Sequence, residues 1–225
     1  MQVIHTPDFG SPMKLGRTAQ KEASKILVNV DKPILSDCQL QNICELADAL
    51  GISRNDIKPM SFLDADQGAS NPTRDQNNCQ SCVVSFAARR RGLNCIAKAY
   101  DSCNAAMYNL GEQFQNAWIN PKTGKILHPT IIRGKSDDDV ISKLKILLSK
   151  EGEYILGFNG NDGIGHVVNV ITIDGKIVIH DEQISKESDR YTTIDSFSDI
   201  DYFEVIKIDK AILNIDVVQH VLETL

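Results

Sequence analysis

The spacing of apolar and polar positions predicts helices first and strands later. Over residues 36–50, Leu40, Ile43, Cys44, Leu46, Ala47 and Leu50 recur at the interval that turns one helical face to a core. Ser36 is placed to cap that helix and Gly51 to stop it. Residues 18–28 predict a short helix, residues 61–68 one helical turn ended by Gly68, and Asn71-Pro72 a turn. Residues 77–92 open polar, become apolar at Cys82, Val83, Phe86 and Ala87, and close on Arg89-Arg90-Arg91-Gly92. That order is a capped, buried and terminated helix, with Asn78 at the N-cap and Gly92 at the left-handed stop. Residues 93–99 suit a strand, 102–117 a helix, 121–124 a turn, and 136–148 a helix whose first turn carries Asp137, Asp138 and Asp139, as its dipole favours.

Beyond Gly152 the period changes to two. Residues 154–158 predict a strand, 159–165 a loop of turn formers, 166–173 a strand, Asp174-Gly175 a tight hairpin turn, and 176–181 the return strand. Residues 201–208 predict a last strand and 215–225 a C-terminal helix. The expected class is α+β, with helices packed on one side of an antiparallel sheet. Pro7, Gly10, Pro12 and Gly16 make residues 1–30 read as an N-terminal linker or short helix ahead of one domain, 31–225.

Composition narrows the partners. A net charge of −6 argues against nucleic acid or an anionic membrane as the main ligand, and the arginine run suits its place at a helix C-terminus. No run is long and apolar enough to span a membrane, and residues 1–10 lack the pattern of a secretory signal, so a cytoplasmic protein is expected, with export by a signal-less route left open. Six cysteines, Cys38, Cys44, Cys79, Cys82, Cys95 and Cys103, could be read as disulfides or as a zinc site. A chain with an ordinary core needs no disulfide staples, and the spacing of Cys95 and Cys103 is not that of a zinc knuckle. Reduced thiols, one of them reactive, with no metal and no cofactor, are the expectation.

Cys79 is that thiol. It falls in the first turn of a buried helix, where free N–H groups and the helix dipole favour a thiolate. The bland alternative is two small core residues at Cys79 and Cys82. His166 and Asp181 weigh against it. The Asp174-Gly175 turn sets position 168 across from 181 and 166 across from 183, so His166 and Asp181 meet at one end of neighbouring strands, with Gln183 on the same face. A thiolate, an imidazole to share its proton and a carboxylate to fix the ring's tautomer make a nucleophilic site. His128, before a proline, and His180, on the face opposite Asp181, are weaker candidates.

Three ordered motifs carry a resemblance: Asn78-Cys79-x-x-Cys82-Val83-Val84-Ser85-Phe86 through Arg89-Arg90-Arg91-Gly92, then Gly165-His166-Val167-Val168-Asn169-Val170, then Asp181-Glu182-Gln183. Together with the lead-in Ala65-Asp66-Gln67-Gly68 and Asn71-Pro72, they resemble the papain-fold toxin family, over about residues 60–185. The resemblance implies a papain-like cysteine hydrolase fold with its nucleophile at a helix N-terminus. It assigns Cys79 as nucleophile, His166 as base and Asp181 as the orienting acid. Gln76, Asn78 and Gln183 are then the amides that position substrate or hold the oxyanion. It also implies a bacterial toxin or effector that deamidates glutamine in a target protein, with delivery into a target cell and a cognate immunity protein as partner. A thiol protease of the same fold, or a non-catalytic adaptor such as a phage head component, are the alternatives. Lys186 and Ala87-Ala88 depart from the family pattern and bear on substrate choice.

Overall fold

The computed structural model describes residues 23, 25–28, 30–67, 70–160, 165–184 and 190–225. Its helices are α1 (Asp37–Leu50), α2 (Phe62–Asp66), α3 (Cys79–Arg90), α4 (Ala105–Glu112), α5 (Asp137–Leu147) and α6 (Ile215–Val218). Its strands are β1 (Cys95–Ala97), β2 (Trp118–Asn120), β3 (Lys125–Ile126), β4 (Thr130–Arg133), β5 (Gly152–Gly160), β6 (Gly165–Ile173), β7 (Lys176–His180), β8 (Tyr191–Thr192), β9 (Ile200–Lys207), β10 (Ile212–Leu213) and β11 (Leu222–Thr224). The class is α+β. Six strands form one antiparallel sheet in the order β4-β9-β5-β6-β7-β8, flanked by the small sheets β10-β2-β3 and β1-β11.

Alternation along the central strands sends successive side chains to opposite faces. Ile155, Val167 and Ile206 pack with Val83, Val84, Ala87 and Ala88 of α3. Tyr154, Leu156, Val168, Val170 and Val205 pack instead with Val140, Leu144 and Leu148 at α5. Helices therefore cover both faces of the sheet, which corrects the expectation of helices on one side. The reason is visible in the strands: β5 and β6 are apolar at consecutive positions, the mark of a sheet buried on both faces.

The α1 helix follows its sequence. Ser36 and Gln39 form a reciprocal capping box, and Gly51 ends the helix in the left-handed conformation at φ 72°. Leu40 is nevertheless exposed, and so is Cys38. The helix expected over 102–117 divides into α4 and a short 3-10 turn, Phe114–Ala117. The expected C-terminal helix is one turn, α6, after which β11 pairs with β1. An open strand edge at β1 supplies partners that a frayed helix end could not. At the other end, residues 1–22 lie outside the described residues. Ala23 and 25–27 are helical, and Ala23, Leu27 and Val30 are buried against Phe62, Phe86 and Ile171.

The α3 helix is the axis of the molecule. Every residue from Ser81 to Arg90 is buried, so its sequence stripe understates its burial. The basic run does not reach solvent. Arg89 donates to the carbonyl of Ala65 at 2.7 Å, Arg90 to Glu153 at 2.6 Å and to the carbonyl of Met60, and Arg91 to the carbonyls of Ala87 and Ile208. Each long stem fills core space while its head pairs acceptors that would otherwise be stranded. The helix ends at Gly92, with φ 113°, where an added Cβ would stand 2.9 Å from the backbone of Lys58 and Pro59. Gly92→Ala therefore meets a forbidden φ and a backbone clash together. We expect it to lower unfolding free energy by about 2 kcal/mol or more in urea titration, and an unchanged midpoint would contradict this account of how the helix stops.

Candidate active site

A polar loop delivers the chain to α3. Arg74 within it has φ 56°, the left-handed region. Asp75 accepts the N–H of Asn77 at 2.8 Å and that of Tyr100. Asn71 donates to the carbonyl of Asp75 at 3.1 Å and to that of Gln183 at 3.4 Å. Asn78 occupies the N-cap position, yet its side chain makes no capping hydrogen bond. Its amide N–H groups go to Asn71 Oδ1 and to the carbonyl of Lys98, both at 3.1 Å. Its Oδ1 accepts the thiol of Cys82 at 3.3 Å and the Gln183 amide at 3.5 Å. A helix N-terminus that its N-cap side chain does not close keeps first-turn N–H donors for another oxygen.

Cys79 is the first residue of that helix. The hairpin register expected from Asp174-Gly175 is the observed one. Both turn residues have positive φ, 51° and 70°, and Ile173 pairs with Lys176 and Asn169 with His180. Pairing stops there, so Asp181 lies just past β7. Its backbone N–H donates to the carbonyl of Arg190 at 2.9 Å, and its Oδ1 accepts the N–H of Gln183 at 3.0 Å. Asp181 Oδ2 stands 2.7 Å from His166 Nε2. Phe158, directly across on β5, meets the His166 ring edge-on at a centroid distance of 5.5 Å.

Burial opposes the charged form of His166. The Asp181 carboxylate and the hydrogen bond to it outweigh burial, and interactions with Cys79 add to them, so the imidazole is held well above its ordinary range. Burial likewise pushes Asp181 up, but the charge and hydrogen bond of His166 prevail and its pKa is lowered. The structure thus brings Cys79, His166 and Asp181 together. With Nε2 taken by Asp181, Nδ1 is the ring nitrogen left to serve the thiol.

The three amides fare differently. Gln76 is exposed and donates to the carbonyl of Arg74 at 3.3 Å. Asn78 is committed to the loop, and Gln183 ties the turn after β7 to that loop. His128 is exposed between β3 and β4. His180 is fully buried, in contact with Phe62, Phe86 and Tyr191, and lies between Asp66 and Glu182. Asp66, Asn169 and Glu182 fall inside the quoted motifs but carry no role there; the contact of Asp66 with His180 spans 114 positions, beyond the reach of local rules, whereas Asn169 and Glu182 are 13 positions apart. Lys186 and residues 161–164 lie outside the described residues. A cleft of about 400 Å³, lined by Arg91, Glu153, Ile171 and Asp209 among others, opens elsewhere and includes none of the three.

Cys82 differs from Cys79. Burial, with the nearby Glu182 carboxylate next, holds its thiol well above the ordinary range, and it is 1% exposed. Burial also pushes Cys95 up to about 12. Among the described residues no group of three or more His, Cys, Asp or Glu could hold a metal ion. Iodoacetamide at neutral pH should therefore label Cys79 well ahead of Cys82 in peptide maps, and Cys82→Ala should cost about 1 kcal/mol as a small cavity. Equal labelling of the two would remove the distinction.

Among the described residues no helix is long and apolar enough to cross a membrane. No protein-family model, no curated protein and no solved structure matches the chain.

Proposed function

We propose that the protein is a papain-like cysteine hydrolase that acts on a carboxamide of a target protein by Cys-His-Asp acyl transfer, with glutamine deamidation as the reaction. The observation that carries this reading is the 2.7 Å contact between His166 Nε2 and Asp181 Oδ2 beside a cysteine in the first turn of a helix. The three motifs that resemble the papain-fold toxin family supply the same three residues in the same order. By that resemblance the protein is a bacterial toxin or effector, delivered into a target cell and held in check by a cognate immunity protein.

The chemistry runs in two halves. The Cys79 thiolate adds to the amide carbon, and the carbonyl oxygen takes the negative charge. First-turn N–H groups of α3, which the Asn78 side chain does not cap, would receive it, with the remaining Gln76 N–H as a side-chain donor. Imidazolium at His166 gives its proton to the departing ammonia as the C–N bond breaks, leaving a thioester on Cys79. Neutral His166 then takes a proton from water, hydroxide adds to the thioester, and collapse releases the carboxylic acid and the Cys79 thiolate. Asp181 holds the ring in the tautomer both halves require.

The test is mass spectrometry of candidate target proteins incubated with wild type and with Cys79→Ala. Wild type should convert a glutamine side chain to glutamate and Cys79→Ala should not. Backbone cleavage instead of amide conversion would assign the same three residues to a peptidase. Identical target spectra from the two proteins would leave the adaptor reading.

A further inference from the structure

We propose that Glu182, held between His180 and Asn169, is a positioning residue that keeps the Asp181 carboxylate turned to His166. This rests on the reading just given. His180, Asp181 and Glu182 are consecutive, but their side chains part. Asp181 turns to His166, while the two flanking side chains enter the interior, 0% and 3% exposed. There Glu182 Oε1 lies 2.7 Å from His180 Nδ1 and also accepts the side-chain amide of Asn169. His180 Nε2 lies 3.0 Å from Asp66 Oδ1, which Arg190 also reaches at 2.9 Å, and the Tyr191 hydroxyl donates to the same carboxylate. The Tyr191 ring stacks on His180 at 5.1 Å and 19°.

Two features of this cluster point to orientation more than to stability. First, it is expensive. Buried ion pairs stabilise a fold no better than apolar groups of the same volume, and among the described residues neither Glu182 Oε2 nor His180 Nδ1 has a well-aligned hydrogen-bond partner, the 2.7 Å approach of His180 to Glu182 being ionic. Second, its anchors are chosen for direction. Asn169 is on β6, the strand that begins beside His166, and Asp66 is on α2, which packs on the Cys79 helix through Phe62 and Phe86. Glu182 therefore ties the residue after Asp181 to the strand that bears the base, and His180 ties the residue before it to the helix side. With both neighbours fixed, the turn cannot slide by a residue, and the carboxylate is left one direction to face.

The closing experiment uses the full chain and reads the pH dependence of iodoacetamide labelling of Cys79, with thermal melting alongside. Asp181→Asn and His166→Ala serve as references. Glu182→Gln, which keeps shape and removes charge, should melt cooperatively and shift the Cys79 labelling profile in the direction of Asp181→Asn by a smaller amount. With a deamidation substrate, kcat should fall roughly 10- to 100-fold at unchanged KM, as expected when a remote change misplaces a catalytic group. A Glu182→Gln profile superimposed on wild type, while Asp181→Asn is shifted, overturns the proposal and leaves the reading of the site intact. Profiles unmoved in both references overturn the reading itself. Should Glu182→Gln not fold, Asn169→Ala loosens the same carboxylate with all charges kept, and an unshifted profile there overturns the proposal equally.

Discussion

Asp181→Asn should lower turnover by roughly two to three orders of magnitude while the protein stays folded. The amide keeps the size of the carboxylate but can present N–H to the ring and favour the wrong tautomer. The same change in a serine triad, a documented general case, removes about four orders. A thiol is a stronger nucleophile than a hydroxyl at neutral pH and leans less on its base, so the loss here is smaller. The pH profile should move as well, and its direction is fixed by the causes already described. Burial disfavours imidazolium at His166 and the Asp181 carboxylate overcomes it. Because the folded pKa is raised, wild-type activity that needs His166 protonated should persist on the alkaline side beyond the ordinary histidine range and fade as pH passes the raised value. Removing the carboxylate leaves burial unopposed except by Cys79, so the alkaline limb should shift to lower pH. A variant with full activity and an unmoved alkaline limb would falsify the role given to Asp181.

Asp66→Ala should destabilise the fold by about 3–5 kcal/mol, the range for removing one member of a buried ion cluster. Asp66 is 3% exposed and serves His180, Arg190 and Tyr191 at once. His180 can shed its proton to limit the damage, whereas Arg190 cannot. The wild-type pH dependence follows from the same groups. Burial opposes charge on His180, but Glu182 and Asp66 raise it from 6.5 to about 10. A raised histidine contributes its full stabilisation below pH 6.5 and loses it as pH climbs toward 10. Burial pushes Asp66 up, yet His180, Tyr191 and Arg190 carry it well below the usual carboxylate range. Its contribution is present above 3.8 and fades only in strong acid. Unfolding free energy from urea titration should thus be highest between about pH 4 and 6.5 and fall on the alkaline side, by roughly 2–4 kcal/mol at most from this cluster. In Asp66→Ala the alkaline fall should be shallower. Stability that rises between pH 6.5 and 10 would be incompatible with a buried imidazolium at position 180.

Local rules settled what lies within a few residues. The capping box of Ser36 and Gln39, the stop at Gly51, the cap at Ser136 and the Asp174-Gly175 turn are interactions over two to four positions, and sequence carries them whole. The hairpin register came from that turn, which is why His166 and Asp181 could be brought together on paper and stand 2.7 Å apart in the structure. Placing Cys79 at a helix start was equally local. What needed the tertiary structure was everything decided by long-range competition for partners. Asn78 looked like a cap, but Asn71 and Lys98 claimed its N–H groups and Cys82 and Gln183 its oxygen. Arg89, Arg90 and Arg91 suit a helix C-terminus by sequence, but only the structure shows that distant carbonyls and Glu153 draw them inside. The chain after α6 looked helical, but the open edge of β1 took it as a strand. His180 carried no role in the sequence because Asp66 reaches it from 114 positions away, and shared burial is what makes the charges of His180, Asp66 and nearby Glu182 matter to one another.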